Sequence, residues 1–178
     1  VYFVGIFESF AEIGGFNIGS IFNNTGESFI LARNLSGSPQ WITRTYGNTG
    51  DNVLSDIKVG PDSIYVGGYF NSTSLNFINF QASTTASLSN SDGNDEILIA
   101  CLDQSTGDVN WQVQVENNSS DIFGELLYLN NSLYLTGSLS SDAQFPMMVN
   151  YVSTTSTGKN LFLSKHNTQN GSADWVNI

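Results

Sequence analysis

The chain has 178 residues, 40% hydrophobic and 12% aromatic, which is enough apolar material for a packed core in one domain or a piece of one. Five Lys and Arg stand against 16 Asp and Glu, and a net charge of −11 counts against nucleic acid or an anionic membrane surface as a partner. With no run of about 18 apolar residues, no membrane span is expected, and the acidity reads as solubility.

Taken in order, VYFVGIF (1–7) reads as the second strand of a four-stranded unit whose first strand is missing from this sequence. Residues 8–28 are a Gly-, Ser- and Asn-rich connection with apolar points at Phe10, Ile13, Phe16, Ile18 and Phe22. FILARN (29–34), a turn at Gly37 and QWITRTY (40–46) close the first unit. The second unit is complete. VLSDIKV (53–59) and SIYVGGYF (63–70) flank the turn Gly60-Pro61-Asp62, while EILIACLD (96–103) and VNWQVQV (109–115) flank a turn over 104–108. The third unit runs DIFGELLYL (121–129), an Asn130-Asn131 turn, SLYLTGSL (132–139), LFLSKH (161–166) and ADWVNI (173–178). The long connections 71–95 and 140–160 share an early Phe (Phe77 or Phe80, then Phe145) and a late Ser/Thr/Gly cluster, and are expected to add a short outer strand or a packed loop. No 11-residue window carries helical spacing.

The three units repeat. Tyr2, Tyr65 and Tyr134 each lie three residues before Gly5, Gly68 and Gly137, and these glycines point to close backbone approach or a bulge. The letters of the third strand align Phe29 with Ile97 and Leu161, at offsets of 68 and 64. Trp41, Trp111 and Trp175 close the copies, each four residues after Gly37, Gly107 and Gly171. A period of roughly 65 residues means a propeller, solenoid or array. EILIACLD is apolar on both faces, so sheets must cover it above and below, as inside a stack of propeller blades. The expected fold is all-β: β-propeller blades, three four-stranded antiparallel units spanning 1–46, 47–116 and 117–178, within a larger propeller or assembly.

The stretch Tyr46-Gly-Asn-Thr-Gly-Asp51, VLSDIKV, a turn, IYVGGYF and Phe77 resembles the β-propeller repeat of many secreted bacterial and archaeal proteins. That pattern has a Gly-Gly-x-x-x-Asp segment, a Tyr-Val-x-Gly strand and a downstream Phe-Pro. Phe145-Pro146 reproduces the last element, and Asp51 and Asp121 supply the Asp; Asn118-Ser119-Ser120 and Gly60-Pro61-Asp62 depart from it. Asp103-x-x-x-Gly107-x-x-x-Trp111 is also similar to the tryptophan-docking motif of quinoprotein propellers, in which the indole packs between blades. Asn167, Gly171 and Trp175 keep its spacing, while Asn34, Gly37 and Trp41 are one residue short. The resemblance implies that all three indoles are mostly buried, with Trp111 the costliest to remove. Five scattered basic residues do not supply a quinone pocket.

Reactive constellations are sparse. His166, the single histidine, reads as a strand-end surface residue, and Cys101, the single cysteine, as a buried small hydrophobe. One His and one Cys do not make a zinc site. Asn90-Ser91-Asp92-Gly93-Asn94-Asp95-Glu96 has the oxygen-rich composition of a calcium loop without the spacing to a distant Glu, so an ordinary turn is expected and no cofactor or metal. Asp51, Asp103 and Asp121 recur by position, which favours turn capping over catalysis. Asn-x-Ser/Thr sequons stand at Asn23, Asn34, Asn71, Asn117, Asn118, Asn130 and Asn170, mostly in turns where a glycan of a secreted protein could be carried.

The reading is a non-enzymatic extracellular or cell-surface repeat module, a glycoprotein of structural, filament, surface-assembly or adhesive duty. Its expected partners are further blades of the same chain or copies of itself head to tail. A glycan-binding propeller is the alternative, for which the indoles must be exposed at equivalent clefts; a quinoprotein-like or hydrolytic enzyme is the third.

Overall fold

A computed structural model describes residues 1–19, 25–80, 86–148, 152–153 and 158–178, without the side chain of Ala86. Phe22 and Asn23 lie outside the described residues. The described chain is all-β and antiparallel. Its strands are β1 (Tyr2–Phe7), β2 (Phe10–Ile13), β3 (Phe16–Gly19), β4 (Glu27–Arg33), β5 (Pro39–Gly47), β6 (Asn52–Val59), β7 (Ser63–Phe70), β8 (Ser74–Asn79), β9 (Ala86–Ser89), β10 (Glu96–Asp103), β11 (Val109–Val115), β12 (Ile122–Leu129), β13 (Ser132–Leu139), β14 (Asn160–Asn167) and β15 (Ala173–Asn177).

They form three sheets and a hairpin. Sheet II is β11-β10-β7-β6 and sheet III is β12-β13-β14-β15, the two four-stranded meanders that the repeat implies. Sheet I is β1-β4-β5-β8-β9, five strands rather than a four-stranded unit short of one, because the 71–95 connection crosses over from the second unit. β8 pairs with β5 from Thr43↔Asn79 to Gly47↔Leu75, so this connection splices neighbouring repeats together. The third unit does the same more sparingly, through the bridge Glu116↔Gln144 at the end of β11. β2 and β3 pair with each other alone among the described strands.

Alternation along each strand sends side chains to two faces. Leu98, Ala100 and Leu102 of β10 join Ile64, Val66 and Phe70 against Ile30, Ala32 and Trp41 of sheet I. Ile97, Ile99 and Cys101 join Tyr65 and Val115 against Leu133, Leu135 and Phe162 of sheet III. The doubly apolar EILIACLD is thus covered on both faces, as its sequence requires, and all but Asp103 is buried. A third, smaller core puts Ile18 under the β2–β3 hairpin against Leu31 and Ile42, on the face of sheet I turned away from sheet II.

Strand register corrects the letter alignment. Tyr2 faces Ala32, Tyr65 faces Cys101 and Tyr134 faces Lys165, so Phe29 is the equivalent of Leu98 and Phe162, and the first offset is 69 rather than 68. The slip arises because the β4–β5 turn is one residue shorter, and apolar letters match in either register. Arg33, Leu102 and His166 become the equivalent bulge residues.

The expectation for the strand glycines holds at Gly68 and Gly137, whereas at Gly5 a Cβ would meet only the Phe29 ring. β6 bulges between Leu54 and Asp56 opposite Gly67 and Gly68, and β12 between Phe123 and Leu126 opposite Gly137. A Cβ on Gly68 would stand 1.9 Å from Val53 O and 2.9 Å from Leu54 Cα, both backbone atoms that cannot step aside. Gly68→Ala should therefore cost at least about 1–3 kcal/mol in a urea unfolding series, the range for overpacking a filled site.

Candidate functional site

The features that recur with chemistry attached lie along the two seams between sheets. At one end of each seam, an indole from one sheet lies on the hairpin turn of the next. Gly107 and Gly171 hold φ of +76° and +75°, which favours glycine, and their N–H groups donate to Asp103 O and Asn167 O at 2.9 Å. The missing Cβ is also the seat. A Cβ on Gly107 would stand 2.4 Å from Trp41 Cε3, and one on Gly171 2.7 Å from Trp111 Cζ3. Trp41 Nε1 donates to Gln104 O at 3.2 Å and Trp111 Nε1 to Thr168 O at 2.9 Å, so the polar edge of each indole is satisfied by the turn it covers. A tyrosine backs each indole: Tyr2 with Trp41, Tyr65 with Trp111 and Tyr134 with Trp175, at 5.9, 6.2 and 6.3 Å between ring centroids.

Burial grades along the chain, which corrects the expectation that all three tryptophans are mostly buried. Trp41 is 1% exposed, Trp111 is half-buried and Trp175 is 36% exposed. Each indole depends on the sheet that follows it. Sheet II covers Trp41 fully, sheet III covers Trp111 in part, and no described residue supplies a turn for Trp175.

Buried polar groups tie the seams elsewhere. Glu27, fully buried at the head of β4, accepts from Gly47 N, Thr45 Oγ1 and Asn52 Nδ2. Its repeat counterpart Glu96 heads β10, and the counterpart of Asn52 is Asp121, as Asn52 N→Gly26 O and Asp121 N→Asp95 O show. Asp51 and Asp121 are therefore not equivalent, contrary to the repeat pattern, and an amide in one seam becomes a carboxyl in the other. Asp121 accepts from Asn117 Nδ2 at 2.8 Å, while Asn117 N donates to Glu96 at 3.3 Å. Burial, then the Asp121 charge, pushes Glu96 up to about 8, and burial pushes Asp121 up to about 6. Asp56 adds a surface tie, pairing with Lys58 and accepting from Leu126 N of sheet III at 2.9 Å.

The remaining candidates are spent in local structure. His166 is fully buried, not a surface residue, because it occupies the place of Leu102 and shares with Phe162 the face of sheet III that meets sheet II. Its Nδ1 lies 2.9 Å from Gly171 O and its Nε2 2.8 Å from Ser164 Oγ; burial holds its pKa below the ordinary value. Ser164 is equally buried, so this Ser–His pair holds the docking turn and has no path to a substrate. Cys101 is buried, which raises its thiol. Asp103 caps its own turn from Ser105 and Thr106, and those hydrogen bonds, Ser105's first, lower its pKa. Asp51 accepts from Gly26 N. The Asn90–Glu96 turn closes on itself, Asn90 Oδ1 accepting from Asp92 and Gly93 and Asp92 Oδ1 from Asn94. Among the described residues no three His, Cys, Asp or Glu side chains gather as a metal site.

The sequons separate by exposure. Asn34, Asn118, Asn130 and Asn170 face solvent, whereas Asn117 is buried and Asn71 half-buried with its Nδ2 on Asp95. The carboxyl network was missed from the sequence, although Glu27 and Glu96 stand 69 residues apart at the heads of equivalent strands. No protein-family model matches the chain, and no curated protein matches it in sequence.

Two outcomes follow from the seam. Trp41→Ala should cost about 3–5 kcal/mol, as for a core aromatic, Trp111→Ala less and Trp175→Ala least, all read from denaturant unfolding. Glu96 binds its proton more tightly folded than unfolded, so the stability it brings is complete below the ordinary carboxyl pKa and is lost as pH rises through about 8. Melting temperature should fall across that window, and Glu96→Gln should flatten the part between pH 6 and 8.

Proposed function

We propose that the chain is a non-enzymatic repeat module of the β-propeller type, serving a structural, surface-assembly or adhesive role at an extracellular or cell-surface location. The repeated indole-on-turn seam carries this reading, because it matches the way propeller blades are stacked and because the side chains suited to catalysis are consumed in building it. Ser164, His166, Cys101, Asp103, Asp121 and Glu96 all sit in seams or turns. Among the described residues no helix is long and apolar enough to cross a membrane.

One observation favours a second reading, glycan binding: the Trp175 indole stands 36% exposed, backed by the half-buried Tyr134 ring. The two readings part in a titration of tryptophan fluorescence with neutral oligosaccharides. A structural module leaves emission unchanged in wild type; a saturable shift abolished by Trp175→Ala would favour the glycan reader. The location is tested separately by intact-mass measurement of protein from its native source. Mass above the 19.3 kDa polypeptide, mapping to Asn34, Asn118, Asn130 or Asn170 and not to Asn117, is the expected result.

A further inference from the structure

We propose that the outer face of sheet III binds the outer face of sheet I from a second copy of this chain, through the same joint that unites sheets I and II and sheets II and III. The inference rests on the repeat-module reading above and adds the partner and its docking points.

Each internal joint has three parts, and among the described residues each has a counterpart left open on the outer faces of sheets I and III. The first is the indole and its seat. Trp175 is exposed, while Gly37, the counterpart of Gly107 and Gly171, has φ +83°, and no described atom lies within 4 Å of the place its Cβ would take. Leu35 beside it is almost wholly exposed, in the turn that elsewhere accepts the indole N–H. The second part is the strand splice. β5 of sheet I accepts β8, the first strand after β7; among the described strands β2, the first after β1, pairs only with β3, and β15 only with β14. The third is the apolar face. Sheet III presents Leu161, 78% exposed, and Leu163 beside a groove of about 480 Å³ lined by Thr136, Gly137 and Phe162. On sheet II the matching spot at Gly67 and Ile99 is filled by the Phe123 ring of the next unit. Sheet I offers Phe3, 47% exposed, where the other repeats bury Val66 and Leu135, and Phe10, 71% exposed, on β2.

The occupant is set by this matching: what covers each face between the described sheets is another copy of the repeat, and an open indole, an open glycine seat and exposed apolar side chains stand on the two outer faces of the described residues. A head-to-tail contact of this kind is heterologous, so it closes into a ring or runs on as a filament. The net charge of −11 opposes it, and added salt should strengthen it.

The test uses end-blocked variants at exposed positions. Trp175→Ala with Leu161→Glu blocks one end, Phe3→Glu with Phe10→Lys the other, and far-UV circular dichroism with melting confirms that each is folded. In sedimentation equilibrium, wild type should rise above 19.3 kDa with concentration, and each variant alone should associate more than about tenfold more weakly. An equimolar mixture of the two variants should form a dimer and nothing larger. Wild type that stays monomeric, a blocked variant that still assembles like wild type, or a mixture that fails to pair would each overturn the proposal. The seam reading fails on different evidence, namely a Trp41→Ala variant of undiminished stability.

Discussion

The structure depends on an indole laid across a left-handed glycine. Trp41 over Gly107 and Trp111 over Gly171 each need the same coincidence: a turn that requires positive φ, and a ring that needs the space a side chain would take. Burying an aromatic of 150–250 Å² at about 25 cal/mol per Å² contributes roughly 4–6 kcal/mol, and the ring's N–H finds a turn carbonyl instead of adding an unsatisfied donor. Two such contacts, together with the strand splice at β5–β8, make three sheets one body. Without them each meander would present Leu, Ile and Val to water on a face with no polar residue to shield it.

Much of this was legible in the sequence because the repeat wrote it three times. The Tyr, Gly and Trp landmarks, the antiparallel pairs and the doubly buried EILIACLD all follow from turn residues and alternation. What was not legible depends on register and on contacts between units. A strand of continuous apolar letters aligns equally well one residue out, and a polar letter at a strand end, His166, does not by itself show that the next sheet covers it. The 71–95 connection could be read as strand-forming, but nothing local says that Leu75 and Phe77 pair with the preceding sheet rather than their own. Trp exposure depends on which sheet follows, a property of order and not of composition.

The buried carboxyls show how a repeat varies without breaking. Glu27 meets an amide at Asn52, which gives it hydrogen-bond donors; Glu96 meets Asp121, and the pair is reconciled by Asn117 and by a proton that burial keeps on Glu96. The same low-dielectric seam that strengthens hydrogen bonds makes a second charge costly. Burial raises the pKa of Glu27 and Glu96 alike, and the Asp121 charge raises Glu96 further, so one architecture holds two seams of different charge.

The central claim, that indole-on-turn contacts unite the sheets, is tested most directly by hydrogen exchange of the three indole N–H groups, followed by NMR on dilute protein. Trp41 and Trp111 Nε1–H should be protected by their turn carbonyls, Trp41 most strongly, while Trp175 exchanges at close to the rate of a free indole. Three indoles exchanging at the same rate would contradict the account.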